Sequence, residues 1–442
     1  MSNDFYIGTF DAEKYWREKE LALLPSIRDT NAESIVSTLD ELQFVFCSNE
    51  SDILYTRYKL GDIQVDYLKE IGILFKNEFL YKDILELNKS YDNVCNLMIN
   101  SLRVDHYDFF NRNLIFSAYA IDKYSLAFCE KYGFNYDFPN HKVVKEVNSK
   151  LFAFDIQKSI LPTYEGRIVD SASLLLHAGL EMLKSIGSFL IKDSFGVSGN
   201  GNLLIESENI LNNIYRYLLK QENTGKIVSF ILEPLYEKET DFSCQLEILK
   251  NGEIKLISVQ IMQNKSFSFA GISEANNNFY EYLQNNNYYT FIDNVAKQMY
   301  SSGYYGPVCI DSMTLKDGNV IPLIEINARK SMGFINAWLK KRIPDCKNTF
   351  LMTYSLIIPV NVSYDHFINK LECKKILFYP KTGFGLIPLT SNAFLINRNN
   401  AVNGNYKGRI YIGFIFENES RKKHLIKELE IVFSELNIKN QT

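Results

Sequence analysis

The sequence predicts an α/β fold divided into lobes, and three observations carry that prediction. Short apolar runs alternate with helical spacings over residues 1–140. A glycine-rich segment from Gly187 to Ile205 reads as strand, loop and strand. A hairpin within Ser301 to Arg342 brings acidic residues together at a strand end. Alternating strands and helices favour a doubly wound parallel sheet, whereas an Asp-Gly turn between apolar runs marks an antiparallel hairpin. At 442 residues the chain is long for one core and implies two to three domains or lobes.

Bulk composition narrows the function. The chain is 46% hydrophobic and 23% charged, with a net charge of −4, so no basic excess points to nucleic acid or an anionic membrane. Seven scattered cysteines without a C-x-x-C pair imply reduced thiols in a cytosol, not a disulfide framework or a zinc site. The acidic start MSNDFYIGTFDAEKYW has no long apolar run, so no signal peptide is expected. Nor does any segment approach the roughly 18 apolar residues of a membrane helix. A soluble cytoplasmic protein is the expectation. Five dispersed histidines give little support to a histidine metal site or a Ser-His-Asp triad.

In chain order, Phe44–Cys47 and Ile53–Thr56 read as strands, Tyr67–Phe75 and Tyr81–Asn88 as helices, and Val94–Ser101 as either. The run from Asn113 suits a buried strand, followed by a helix from Ser125 to Tyr132 that stops at Gly133. Asp170 begins a capped helix. The loop Gly196-Val-Ser-Gly-Asn-Gly matches neither a Rossmann nor a Walker pattern. It reads as a hairpin tip whose bare N–H groups at Gly196, Gly199 and Gly201 can close over phosphates, with Ser198 adding a donor. Lys192, on the strand entering the loop, can reach the same phosphates. A mobile turn without a ligand is the alternative.

Ser207–Asn223 reads as a helix and Ile227–Leu235 as a buried strand ending at Glu233-Pro234, where backbone groups can meet an adenine edge. Glu233 or Asp241 can take ribose hydroxyls, though Glu233 equally suits a cap or a surface position. Asn276–Asn287 is Asn-rich and expected to be a loop, and Tyr288–Tyr300 a helix. Residues beyond Lys374 read as a small α/β unit with strands near Leu377 and Ile410 and a charged helix from Ser420 to Leu436.

The hairpin holds the chemistry. Val308–Asp311 and Val320–Ile326 are apolar runs joined through Lys316-Asp317-Gly318-Asn319. Across it Asp311 and Glu325 can face each other, and Asn327 points the same way as Glu325 because strand side chains alternate. Two carboxylates and an amide oxygen form a hard-oxygen site of the kind Mg²⁺ takes together with phosphate oxygens. Arg329 adds a cation on the same side.

Taken together, Lys150 near a helix, Lys192 before the glycine lid, Glu233-Pro-Leu at a hinge, and Asp311…Glu325-Ile-Asn327 resemble the ATP-grasp superfamily in identity and order. The 14-residue gap between Asp311 and Glu325 is similar to that of D-alanine–D-alanine ligases, and Glu-Ile-Asn-Ala-Arg looks like the corresponding run of biotin carboxylases. The resemblance spans residues 141–342, is weak over the N-terminal lobe and does not reach the C-terminal unit. Asn200 stands where the lid often carries Lys or Arg, which leaves phosphate closure to backbone groups. No Met-Lys-Met biotin-carrier run occurs, so the arrangement looks more like the amino-acid and peptide ligases of specialised metabolism.

The resemblance implies an N-terminal pre-ATP-grasp α/β domain (1–140), an ATP-grasp small lobe with the lid (141–225) and a catalytic lobe with the metal site (226–370); the C-terminal α/β extension (371–442) lies beyond it. It implies ATP between the lobes, its phosphates neutralised by Lys150 and Lys192, and one or two Mg²⁺ ions, replaceable by Mn²⁺, on Asp311, Glu325 and Asn327. Arg329 would meet the charge of phosphoryl transfer to a carboxylate, and the acyl phosphate would accept an amine, releasing ADP and phosphate. The partners would then be small-molecule carboxylates and amines, amino acids or peptides among them, with a homodimer allowed and neither nucleic acid nor membrane. A thiol or bicarbonate chemistry on the same fold, or a non-catalytic nucleotide-binding scaffold, are the competing readings.

Overall fold

The computed structural model describes residues 3–84, 92–100, 113–161, 164–197, 200–265, 268–343 and 348–441. Three sheets organise them.

The N-terminal sheet is parallel, in the order Lys76–Tyr81, Ile53–Tyr58, Asn3–Ile7, Leu114–Ala118, Asn135–Tyr136. Its first strand is central, so the chain winds outward on both sides and the winding reverses beside Asn3–Ile7, where α/β sheets place ligands. The doubly wound expectation is borne out. The helix Lys123–Tyr132 starts on a capping box of Asp122 and Ser125 and ends at Gly133 in the left-handed region (φ 69°), as its sequence signals require.

The second sheet is antiparallel, in the order Arg167–Val169, Phe230–Pro234, Phe189–Val197, Asn200–Ile205. Helices Ala172–Ile186 and Glu208–Glu222, capped by Ser171 and Ser207, cover one face. An N-terminal strap, residues 17–24, completes this lobe. It leaves Trp16, whose indole donates to the Ile121 carbonyl at 2.9 Å, and inserts Ala22 and Leu24 into the small-lobe core. Ala22 N–H donates to Ile227 O, and Ile227 N–H to Glu20 O, each at 2.8 Å. The Gln221 amide binds both backbone groups of Leu23, at 3.0 and 2.8 Å.

The third sheet has nine antiparallel strands. Its path runs Val320–Asn327, Gly306–Leu315, Lys238–Ile248, Ile254–Lys265, Ser268–Glu274, Asn348–Pro359, Asn405–Phe416, Gly385–Pro388, and Lys439–Asn440 also pairs with Asn348–Pro359. The C-terminal strands thus continue the sheet that carries Asp311 and Glu325.

Several local expectations are corrected. The strand expected at Phe44–Cys47 is the end of a 3₁₀ helix, Leu39–Phe46, with Cys47 as its C-cap. The turn is anchored by buried acids: Asp40 accepts the Arg57 N–H, and Glu41 accepts the N–H groups of Ser391, Asn392 and Ala393. The helices expected over Tyr67–Phe75 and Tyr81–Asn88 give way to a helix at Asp62–Glu70 and a strand at Lys76–Tyr81, with residues 85–91 outside the described ones. Val94–Asn100 is a helix. Asn277–Asn285 is helical as well, because Asn276 caps the Phe279 N–H and the Phe279 ring meets Phe242 edge-on at 5.2 Å. Near Leu377 there is one isolated bridge, and the strand lies instead at Gly385–Pro388.

Among the described residues no helix is long and apolar enough to cross a membrane. Cys47, Cys95, Cys129, Cys244, Cys309 and Cys373 are free thiols.

Candidate active site

The hairpin Gly306–Leu315/Val320–Asn327 sets Asp311 directly opposite Glu325, and Cys309 opposite Asn327. The Asn327 amide donates to Asp311 Oδ2 at 3.0 Å, which orients its oxygen away from that carboxylate. Burial, and then the charge of Glu325, push the Asp311 carboxyl up to about 7. Two facing carboxylates that resist joint ionisation suit a divalent cation, which removes the repulsion. No group of three His, Cys, Asp or Glu converges among the described residues, so this is an open donor set and not a closed cage. An open set of hard oxygens fits Mg²⁺, which keeps water or phosphate oxygens in its remaining positions.

Lys150 begins the helix Lys150–Ile160, whose N-cap is Ser149. Its buried ammonium donates to Glu325 Oε1 at 3.0 Å and to the Gly196 carbonyl at 2.8 Å. One lysine therefore links the acid pair to the strand that leads into the lid. Asn148, two residues earlier, accepts the Ala328 N–H at 2.8 Å and fixes the end of the second hairpin strand against this helix.

The glycine-rich segment is a hairpin, with Lys192 paired to Asn202 and Val197 to Asn200. Gly201 adopts φ 98°, and a Cβ there would stand 2.8 Å from Gly196 Cα, so bare backbone is required on both arms. Ser198 and Gly199 lie outside the described residues. Lys192 and Glu233, on neighbouring strands, form a buried ion pair. Tyr164 donates to the other Glu233 oxygen at 2.7 Å. Lys192, Glu233 and Tyr164 thus form one connected buried group.

Asp241 lies on a strand of the nine-stranded sheet, and Glu233 on a strand of the four-stranded one. Asp241 shares a face of Lys238–Ile248 with Ser243, which is opposite Asp311, and it accepts from Lys238 at 2.6 Å and Asn264 at 2.9 Å. Asp241 therefore shares the sheet face of Asp311 without converging on the Asp311–Glu325 pair, whereas Glu233 is committed to Lys192.

Arg329 faces the N-terminal lobe. Its Nε and Nη2 both reach Glu13 Oε1, at 2.9 and 2.6 Å, and its guanidinium lies 5.7 Å from the centre of the Tyr119 ring. Lys330 donates to Ser117 Oγ at 3.0 Å, and burial lowers its ammonium to about 8. Ser331 occupies the N-cap position of the helix Met332–Arg342 without a side-chain capping bond. Glu13, Tyr119, Asn148 and Tyr164 escaped the sequence reading. Asn148 alone had a local signal, its place beside Ser149-Lys150.

Comparison with known proteins gives the fold its class. No family model and no curated protein matches the chain. Solved structures do. The chain is similar to an ADP complex of N5-carboxyaminoimidazole ribonucleotide synthetase, with 14% identity and a TM-score of 0.52 over 87% of this chain and 97% of that one. It is similar to a biotin carboxylase from Campylobacter jejuni, with 12% identity and a TM-score of 0.54 over 92% of this chain and 90% of that one. The biotin carboxylase domain of a Hydrogenobacter thermophilus 2-oxoglutarate carboxylase gives 12% identity and a TM-score of 0.53 over 100% of this chain and 91% of that one. The chain has the ATP-grasp fold. The likeness takes in the C-terminal strands, which the sequence motifs did not reach.

Proposed function

We propose that this protein is an ATP-dependent ligase that activates a carboxylate as an acyl phosphate and joins it to an amine, releasing ADP and phosphate. The observation that carries the reading is the Lys150 bridge, one buried ammonium between Glu325 and the lid at Gly196. A cation at the junction of an acid pair and a glycine lid is where the phosphates of a nucleotide need charge neutralisation.

In this reading Lys150 and Lys192 meet the phosphates and Glu233 the adenosine, while Gly196, Ser198, Gly199 and Gly201 cover them and keep out water. Asp311, Glu325 and Asn327 hold Mg²⁺, with Asp241 on the same face, and the ion would supply neutralisation of phosphate charge. Arg329, oriented by Glu13, faces the carboxylate being phosphorylated, and the amine approaches along the N-terminal lobe. Replacing Lys192 or Glu325 by Ala should abolish ADP release while the fold persists, and full turnover in both would sink the assignment. A panel of amino acids scored for phosphate release, with mass spectrometry of the product, identifies the amide.

A second reading takes bicarbonate as the acid. It is favoured by the names of the structural neighbours, which describe carboxylases and a carboxyamino-ribonucleotide synthetase, one of them bound to bicarbonate. Phosphate release that requires bicarbonate, with a carboxylated amine as product, would select it.

A further inference from the structure

A cavity of about 380 Å³ opens between the N-terminal sheet and the turn Ala328–Lys330. Its walls are rich in rings, among them Tyr6, Phe46, Phe138, Tyr305, Phe334 and Trp338. Three cations and three acids also line it, and their pairing decides what it can hold. Lys250 is engaged by Asp137 at 2.8 Å, and Arg329 by Glu13 from behind the wall at 2.6 Å. Lys330 is left as the one lining cation without a carboxylate at hydrogen-bond distance among the described residues. Its ammonium lies 4.9 Å and 4.7 Å from the centres of the Tyr6 and Phe46 rings.

Two acids are left against it. Asp4 accepts from the Tyr6 hydroxyl at 3.1 Å. The Glu247 carboxylate makes no hydrogen bond or ion pair with the described residues, although its position across from Pro307 puts it on the wall. Burial raises the Asp4 carboxyl above its usual range, the response of an acid short of a counter-charge. A phosphate ester carries about two negative charges and calls for free Arg or Lys forks. With Lys250 paired to Asp137 and Arg329 to Glu13, two acids face one cation on this wall beside a broad apolar surface. A cation on a flat apolar body satisfies both, through a charge-assisted bond to a carboxylate and stacking on the rings.

We propose that this cavity takes an unphosphorylated amine carried on an aromatic body, with Glu247 and Asp4 as the groups that recognise its nitrogen. That the amine is the acceptor of the reaction rests on the ligase reading above; that it binds here does not. The test is calorimetric titration of the full chain, with ADP and Mg²⁺ present, using tyramine and ribose 5-phosphate as probes. Tyramine should bind, ribose 5-phosphate should not, and Glu247→Gln should weaken tyramine at least fivefold while leaving the affinity for ADP intact. Trp338→Ala should weaken it as well. Binding of ribose 5-phosphate in place of tyramine, or tyramine binding indifferent to both Glu247→Gln and Asp4→Asn, would overturn the proposal. Tyramine binding that depends on Glu247, together with no amine-stimulated ADP release for any carboxylate, would uphold this site and sink the ligase reading. ADP release stimulated only by phosphorylated amines would do the reverse.

Discussion

Glu13→Ala removes the counter-charge of Arg329 in a pair whose side chains are 9% and 10% exposed. Breaking a buried ion pair from one side costs about 3–5 kcal/mol, because the remaining charge is left in a poor solvent. The lower figure suits this site, since Glu13 Oε2 has no hydrogen-bond partner and the acid is already incompletely satisfied. At about 2.1 cal/mol/K of unfolding entropy per residue, 442 residues amount to roughly 0.9 kcal/mol/K, so Tm should fall by about 3 °C if the chain melts in one transition. The double variant Glu13→Ala/Arg329→Met should recover part of this loss, because no buried charge is then stranded, and the cycle should show a coupling of about 2 kcal/mol. Calorimetric melting of the four proteins measures it. A single variant as stable as the parent, or effects that simply add, would refute the view that Glu13 neutralises Arg329.

Three further outcomes follow from the site. Asp311 holds its proton up to about pH 7, against an ordinary value of 3.8, so the metal-free protein is most stable below pH 3.8 as far as this group is concerned and loses that contribution as pH rises toward 7. Metal binding runs the other way, because a ligand must be ionised: Mg²⁺ affinity in the presence of ADP should weaken about tenfold between pH 8 and pH 6, and a flat calorimetric profile would contradict the assignment. Gly201→Ala places a Cβ against Gly196 at a left-handed position, costing about 1–2 kcal/mol in the lid; fluorescence titration with ADP should show about a tenfold loss of affinity, and unchanged affinity would free the lid from any role. Lys150→Met should lower turnover by about 10²–10³, the usual loss for one donor aimed at developing charge. Its effect on melting should be smaller, since Glu325 is partly exposed and can rehydrate.

What the sequence made legible was local. The hairpin was legible from its Asp-Gly turn, but the Asp311–Glu325 opposition rests on a register shift between Asp311 and Met313 that alternation from the turn would not give: without it Asp311 would face Leu323. The strand–loop–strand around Gly196 was legible from its glycines. What stayed hidden depends on distant partners. Arg329 could be seen as a cation but its acid could not, because Glu13 lies on a short N-terminal helix with no spacing signal linking the two. Glu233 and Asp241 looked alike in sequence. Only the pairing of strands separates them, giving one to Lys192 and the other to the neighbourhood of Asp311. The C-terminal strands read as an independent unit because edge pairing with Asn348–Pro359 leaves no trace in composition.

The strap at residues 17–24 bears on how the molecule is made. Ala22 and Leu24 leave the ribosome before any of the strands they will cover, and Ile227 and Val228 emerge only after the whole N-terminal sheet. The small lobe therefore cannot close until Ile227 and Val228 have emerged, and closing it joins the ends of a long loop, which raises contact order and slows assembly. A fragment beginning at His141 would present a bare apolar trough where those two side chains belong, and should aggregate unless a peptide spanning residues 17–24 is supplied in trans.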